Sequence, residues 1–240
     1  MMILSHEHKF IFIHIGKTGG TSIEKVLCKH LGIDFELTEK NPNNQNWWKH
    51  AWASGMRNHV GDKKWKEYFT FAFVRNPYDM LLSLYSMYTQ YPEYIDRENH
   101  NELYHPWNQF HDYEDLVMSM SQGLHDPDHK WRTQLNKLGA KNTLHVWNSL
   151  KNLQSKYLCD HQDELMVDYV GKFENLQDDF NYCCDKIGIQ QLELIKHGAT
   201  KHRSFKDVYT PAMREIVKAH SGKDVDRFNY TSSLDHLTVT

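Results

Sequence analysis

Two short runs of almost unbroken apolar residues stand out from an otherwise polar chain. Lys9-Phe-Ile-Phe-Ile-His-Ile15 and Tyr68-Phe-Thr-Phe-Ala-Phe-Val74 are rich in aromatic and β-branched residues, the pattern of strands buried on both faces of a parallel sheet. Each leads through a turn into a helical pattern. After the first run come Gly16-Lys-Thr-Gly-Gly-Thr-Ser22 and a helix with Ile23, Val26, Leu27 and Leu31 on one face, closed by Gly32. After the second come Arg75-Asn76-Pro77 and a helix through Gln90 with an apolar stripe of Met80, Leu84, Met87 and Tyr88. Asn76 is its expected cap, and Pro77 sits where a missing N–H costs nothing.

Elsewhere the pattern is less regular. Residues 34–46 read as a polar surface loop, and Trp47 to Lys66 as helix in pieces, interrupted near Gly55 and Gly61. Residues 91–113 concentrate Tyr, His, Asn and Pro, which suits a lid or insertion. Its aromatics can stack on a sugar ring or simply pack. Helices are predicted at about 110–121 and 127–138, strands at Thr143–Trp147 and Met166–Val170, and a helix from Gly171-Lys-Phe-Glu-Asn175 to Gly188. Thr210 and Pro211 cap and open a last helix to about His220. Strands alternating with helices, without internal repeat or linker, predict one α/β domain over residues 1–240, with 1–8 a mobile tail.

Composition narrows the class. The 240 residues are 40% hydrophobic, 25% charged and 13% aromatic, which excludes disorder, collagen and coiled coil. No stretch approaches the roughly 20 apolar residues of a membrane helix, and Met1 to Lys9 lacks a signal-peptide core, so a soluble cytoplasmic protein with no membrane partner is expected. A net charge of −3 gives no general pull toward nucleic acid, so any anion site must be built locally. Cys28, Cys159, Cys183 and Cys184 have no C-x-x-C spacing, and His6-Glu7-His8 reads as tail, so no metal is expected.

The turn after the first strand supplies such a local site. Backbone N–H groups at the start of a helix face the positive end of its dipole and suit phosphate or sulfate. The spacing is not that of the nucleoside-triphosphatase P-loop, which needs glycine, four residues and then Gly-Lys-Ser/Thr, because five positions before Gly16 stands Ile11. Here Lys17 opens the loop and meets the anion from the strand side, while Gly19, Gly20, Thr21 and Ser22 cradle it with amides and hydroxyls. Arg75 at the end of the second strand and Ser83, two helical turns later, offer a second phosphate site. Two anion sites imply a ligand with two anionic ends.

Ile15-Gly-Lys-Thr-Gly-Gly-Thr-Ser22 and Phe73-Val-Arg-Asn-Pro-Tyr-Asp79…Ser83, in that order, resemble the paired phosphate motifs of sulfotransferases that use 3′-phosphoadenosine 5′-phosphosulfate (PAPS). Leu153-Gln-Ser155 and Val167-Asp-Tyr-Val-Gly-Lys-Phe-Glu-Asn-Leu176 are similar to the branch containing heparan 2-O and chondroitin sulfotransferases and their soluble bacterial relatives, although Lys172 stands where relatives often carry arginine. The resemblance runs from about residue 9 to 230. It implies a three-layer P-loop-like α/β domain with a central, mostly parallel sheet flanked by helices. It also implies sulfuryl transfer from PAPS to an acceptor hydroxyl, a carbohydrate being one candidate acceptor, without a metal, releasing adenosine 3′,5′-bisphosphate (PAP). Residues 16–22 would hold the 5′-phosphosulfate and Arg75 with Ser83 the 3′-phosphate. His50 is the candidate base and Lys17 the residue that stabilises the leaving phosphate. Lys201 and Arg203 either close over the 3′-phosphate or form a solvated charge cluster. An ATP-dependent small-molecule kinase and an inactive nucleotide- or polyanion-binding module remain the alternatives.

Overall fold

The apolar runs pair with each other, as a strand buried on both faces must. The computed structural model describes residues 3–32, 52–90, 112–123, 153–195 and 202–230. Its elements in chain order are β1 (Ile3–Ser5), β2 (Phe10–Ile13), α1 (Gly20–His30), α2 (Ala53–Val60), α3 (Asp62–Glu67), β3 (Phe69–Val74), α4 (Pro77–Gln90), α5 (Tyr113–Gly123), α6 (Gln154–Leu158), β4 (Tyr169–Lys172), α7 (Leu176–Lys186), α8 (Phe205–Val208) and α9 (Pro211–Arg227). Among these residues the architecture is α/β with a mostly parallel sheet. No described helix is long and apolar enough to cross a membrane.

The chain divides into two compact units, each assembled from two stretches of sequence: Met1–Arg75 with Gln154–Ala199, and Asn76–Leu153 with Thr200–Thr240. The first holds a four-stranded sheet in the order β1-β2-β3-β4. β1 runs antiparallel to β2, while β2, β3 and β4 are parallel, in register Phe12 with Phe71 and Phe71 with Tyr169. Phe10, Phe12, Phe71 and Phe73 line one face and pack against Ile23, Leu27 and Cys28 of α1 and Phe180, Cys183 and Cys184 of α7. Every β2 residue is buried, as the unbroken apolar run predicted.

Residues 3–5 are not part of a mobile tail. Ile3 is 2% exposed and belongs to the core, and Lys9, at φ 48°, turns the chain back so that β1 can pair with β2. Gly61, at φ 82°, separates α2 from α3, whereas Gly55 lies within α2. β4 begins later than the predicted 166–170, because the Asp168 carboxylate accepts from both the Thr70 N–H and the Thr70 hydroxyl at 2.7 Å, so that ladder pairing starts one residue on, at Tyr169. The loop at 34–46, the insertion up to residue 111, the helix at 127–138 and the strand at 143–147 lie outside the described residues.

The second unit is helical where described. Asn76 Oδ1 accepts from the Tyr78 N–H at 3.0 Å, capping α4 as expected, with Pro77 its first residue. Thr210 caps α9 through the Met213 N–H at 3.3 Å, and the helix continues past the expected end at His220 to Arg227. Three tyrosines form a chain in this unit. Tyr209 donates its hydroxyl proton to the Tyr78 carbonyl at 3.0 Å, which leaves Tyr113 as the donor in the Tyr113–Tyr209 hydroxyl contact. Burial pushes the Tyr78 phenol up to about 12 and raises those of Tyr113 and Tyr209 as well.

Candidate functional site

The loop between β2 and α1 is a tight turn whose geometry is fixed from several sides. Lys17 adopts φ 66° and Gly19 φ 84°. Glycine takes that left-handed region freely, whereas a lysine there costs about 1–2 kcal/mol and must be held by its surroundings. Thr18, 1% exposed, donates its hydroxyl proton to the Ile15 carbonyl at 2.8 Å, closing the turn. Gly19 caps α1, its carbonyl accepting from the Ser22 N–H at 3.0 Å. The amides that open a helix ahead of this bond have no intrahelical carbonyl to meet, so this end of α1 presents donors and the positive end of the helix dipole beside Lys17.

The two glycines are required by the protein's own packing. A β-carbon on Gly19 would lie 2.7 Å from Leu176 Cδ2 and 3.2 Å from the Phe173 ring. A β-carbon on Gly20 would overlap the imidazole of His14. His14 is 3% exposed and stacks on Phe12, with ring centroids 6.0 Å apart and 15° between the planes. Its Nδ1 lies 2.8 Å from Oε1 of the fully buried Glu24. Gly20 and Glu24 are one helical turn apart on the same face of α1. The imidazole therefore spans the first turn of the helix from beneath.

Arg75 approaches the loop from the end of β3. It is 6% exposed, and its Nη1 donates to the Lys17 carbonyl at 3.1 Å. Its guanidinium carbon lies 4.0 Å from the centre of the Phe173 ring, a cation–π contact. The Arg75 N–H donates to Gln154 Oε1 and the Gln154 Nε2 donates to the Arg75 carbonyl, both at 2.8 Å. Burial, and then the nearby Arg75 charge, lower the Lys17 ammonium from 10.5 to about 8. A desolvated cation that still carries its proton near neutral pH binds an anion better than a surface lysine does, because the ion pair forms in a lower dielectric.

The structure thus brings together Gly16, Lys17, Thr18, Gly19, Gly20, Thr21, Ser22 and Arg75 in the first unit. Ser83 is 2% exposed on α4 and Arg203 is exposed ahead of α8, both in the second unit. His50 and Lys201 lie outside the described residues. Sequence reasoning gave no place to His14 or Glu24, and none beyond the resemblance to Gln154 and Phe173. A histidine and a glutamate flanking a glycine loop were a visible signal; the pairing of Gln154 with Arg75 had none. Burial pushes the Cys28 thiol up to about 11 and that of Cys183 further, so neither is a ready nucleophile.

Comparison with known proteins bears on this arrangement. The model of the Sulfotransferase family matches residues 1–231. Among curated proteins, carbohydrate sulfotransferase 10 of Homo sapiens and that of Pongo abelii are each 26% identical across 209 aligned residues, covering 78% of this chain and 52% of the relative. The chain spans about half the length of these relatives. No solved structure matches it. A strand, glycine loop and helix holding a half-buried lysine, inside a match of this extent, show that the chain belongs to the Sulfotransferase family.

Proposed function

We propose that this protein moves a sulfuryl group from PAPS to an acceptor hydroxyl by in-line displacement, as a single sulfotransferase domain of three-layer, P-loop-like build. The observation that carries the reading is the half-buried Lys17, in a left-handed turn at the start of α1, with the Arg75 guanidinium on its carbonyl. A compact cationic loop in a chain of net charge −3 fits a small polyanion rather than a general attraction to nucleic acid.

PAPS supplies a sulfuryl group already activated as a mixed anhydride with phosphate. The chain's own residues bind, orient and neutralise. The amides and hydroxyls of residues 16–22 would hold the 5′ end, and Arg75 with Ser83 the 3′-phosphate, with Lys201 and Arg203 closing over it. The Lys17 ammonium would offset charge on the leaving oxygen, the usual way a fixed donor lowers such a barrier. In this reading Lys17 and the loop amides do the work a metal would do elsewhere. His50, as a neutral imidazole, would take the acceptor's proton. The carbohydrate class of acceptor is favoured by the curated relatives, whose name is carbohydrate sulfotransferase 10.

A thermal-shift titration with PAP, adenosine 5′-phosphate and ATP with Mg²⁺ tests this reading, since a ligand that binds only the folded chain raises its melting temperature. Stabilisation by PAP well above the other two, lost in Arg75→Ala, is the expected result. Preference for ATP would put a kinase in its place, and no response to any nucleotide an inactive module.

A further inference from the structure

Gln154 carries no charge and belongs to neither phosphate motif, yet it is fully buried, with 0% exposure. Its side-chain amide meets the backbone of Arg75 twice, as acceptor from the N–H and as donor to the carbonyl, each at 2.8 Å. A primary amide has the same donor and acceptor as a peptide group. The β3–β4 ladder ends at the pair Val74 and Lys172, so at Arg75 the Gln154 side chain takes the place of a neighbouring strand. One residue beyond the sheet, the Arg75 backbone therefore still has a partner for both its N–H and its carbonyl. From that anchored root its guanidinium reaches the Lys17 carbonyl and lies over Phe173, whose ring also packs against Gly19.

We infer that Gln154 is a positioning residue of the anion site: its two bonds to the Arg75 backbone set the guanidinium against the Lys17 carbonyl and so hold the turn that carries Lys17. The inference rests on the proposed anion-binding role of that loop. It assigns Gln154 a function beyond satisfying buried backbone groups, and the two can be told apart. A merely structural glutamine affects melting temperature alone. A glutamine that places Arg75 also affects the titration of Lys17, because the arginine's charge adds to burial in keeping that ammonium low.

The experiment uses the full chain with isotope-labelled lysine, following the Lys17 side-chain resonance by NMR from pH 6.5 to 11 and measuring PAP binding by calorimetry. The variants are Gln154→Met, of similar size but without hydrogen bonds, and Cys184→Ala, which opens the same unit's core away from the loop. Gln154→Met is expected to move the Lys17 midpoint upward from about 8 and to weaken PAP binding about tenfold or more, the equivalent of losing one good hydrogen bond at the site. Cys184→Ala is expected to lower the melting temperature and leave the midpoint in place. Should Gln154→Met not fold, Gln154→Asn, which keeps the amide but is too short to span both Arg75 groups, is held to the same outcome. A folded Gln154 variant with an unchanged Lys17 midpoint and PAP affinity within twofold of wild type would overturn the inference. Wild type that fails to bind PAP while the midpoint still moves in Gln154→Met would support the positioning link and overturn the sulfotransferase reading instead.

Discussion

The imidazole of His14 occupies the space that a side chain on Gly20 would need. Strand and helix therefore meet at the loop with no slack, and the start of α1 is set by the ring below it. Gly20→Ala is expected to destabilise the chain by about 1–3 kcal/mol, the usual cost of overpacking a filled site, and to weaken PAP binding. In a His14→Ala background the same substitution should cost less, since the clash is gone. Urea denaturation of the two single variants and the double variant measures this, and strictly additive losses would show that the contact does not matter.

Lys17 gives the site a pH dependence whose sign can be worked out. Its ammonium is lowered from 10.5 to about 8 in the folded chain. Between those two values the unfolded chain binds the proton and the folded chain does not, so this group's contribution to stability rises with pH across that window. Anion binding runs the other way. PAP should favour the protonated lysine, lose up to about tenfold in affinity per pH unit above the midpoint, and take up a proton on binding. Calorimetry in buffers of different ionisation enthalpy reads that proton directly. Affinity that stays flat from pH 7 to 9.5 would remove Lys17 from the site.

The left-handed backbone at Lys17 separates its two roles. Lys17→Ala and Lys17→Gly should both lose turnover, because both remove the ammonium. Only glycine relieves the backbone, so Lys17→Gly should be more stable than Lys17→Ala by about 1 kcal/mol. Thermal melts of the pair check the ranking.

For His50 the expected signature is a split between binding and turnover. His50→Ala should bind PAP as wild type does and lose about 10² to 10⁴ in turnover, the usual worth of a general base. A variant with normal turnover would send the search for the base to another histidine.

The legible parts of this molecule are those where neighbours in sequence are also neighbours in space. β2 and β3 were readable because a strand buried on both faces needs an apolar residue at nearly every position, and the sequence supplies Phe10–Ile13 and Phe69–Val74. The Gly16–Ser22 loop was readable because strand, glycines and helix follow one another directly. β1 was missed because three residues are too few to show a period, and it is held by pairing with β2. The start of β4 was misplaced because Asp168 bonds to Thr70, 98 residues earlier. For the same reason Gln154 was invisible as a support for Arg75, its partner 79 residues away. A side-chain amide mimicking a strand leaves no periodicity behind.

The interleaving of the two units has a consequence for synthesis. β3 emerges from the ribosome about 100 residues before β4, its partner in the sheet, and at about 5–20 residues per second that is a wait of roughly 5–20 s. During that interval the Phe69–Val74 strand has an open edge, apolar and unprotected by charge, the kind that recruits other chains. Nascent chains halted before residue 169 should therefore bind chaperones or aggregate, while chains carried past the end of α7 should not, and the second unit, closed by Tyr209 and α9, should be the last to become resistant to protease.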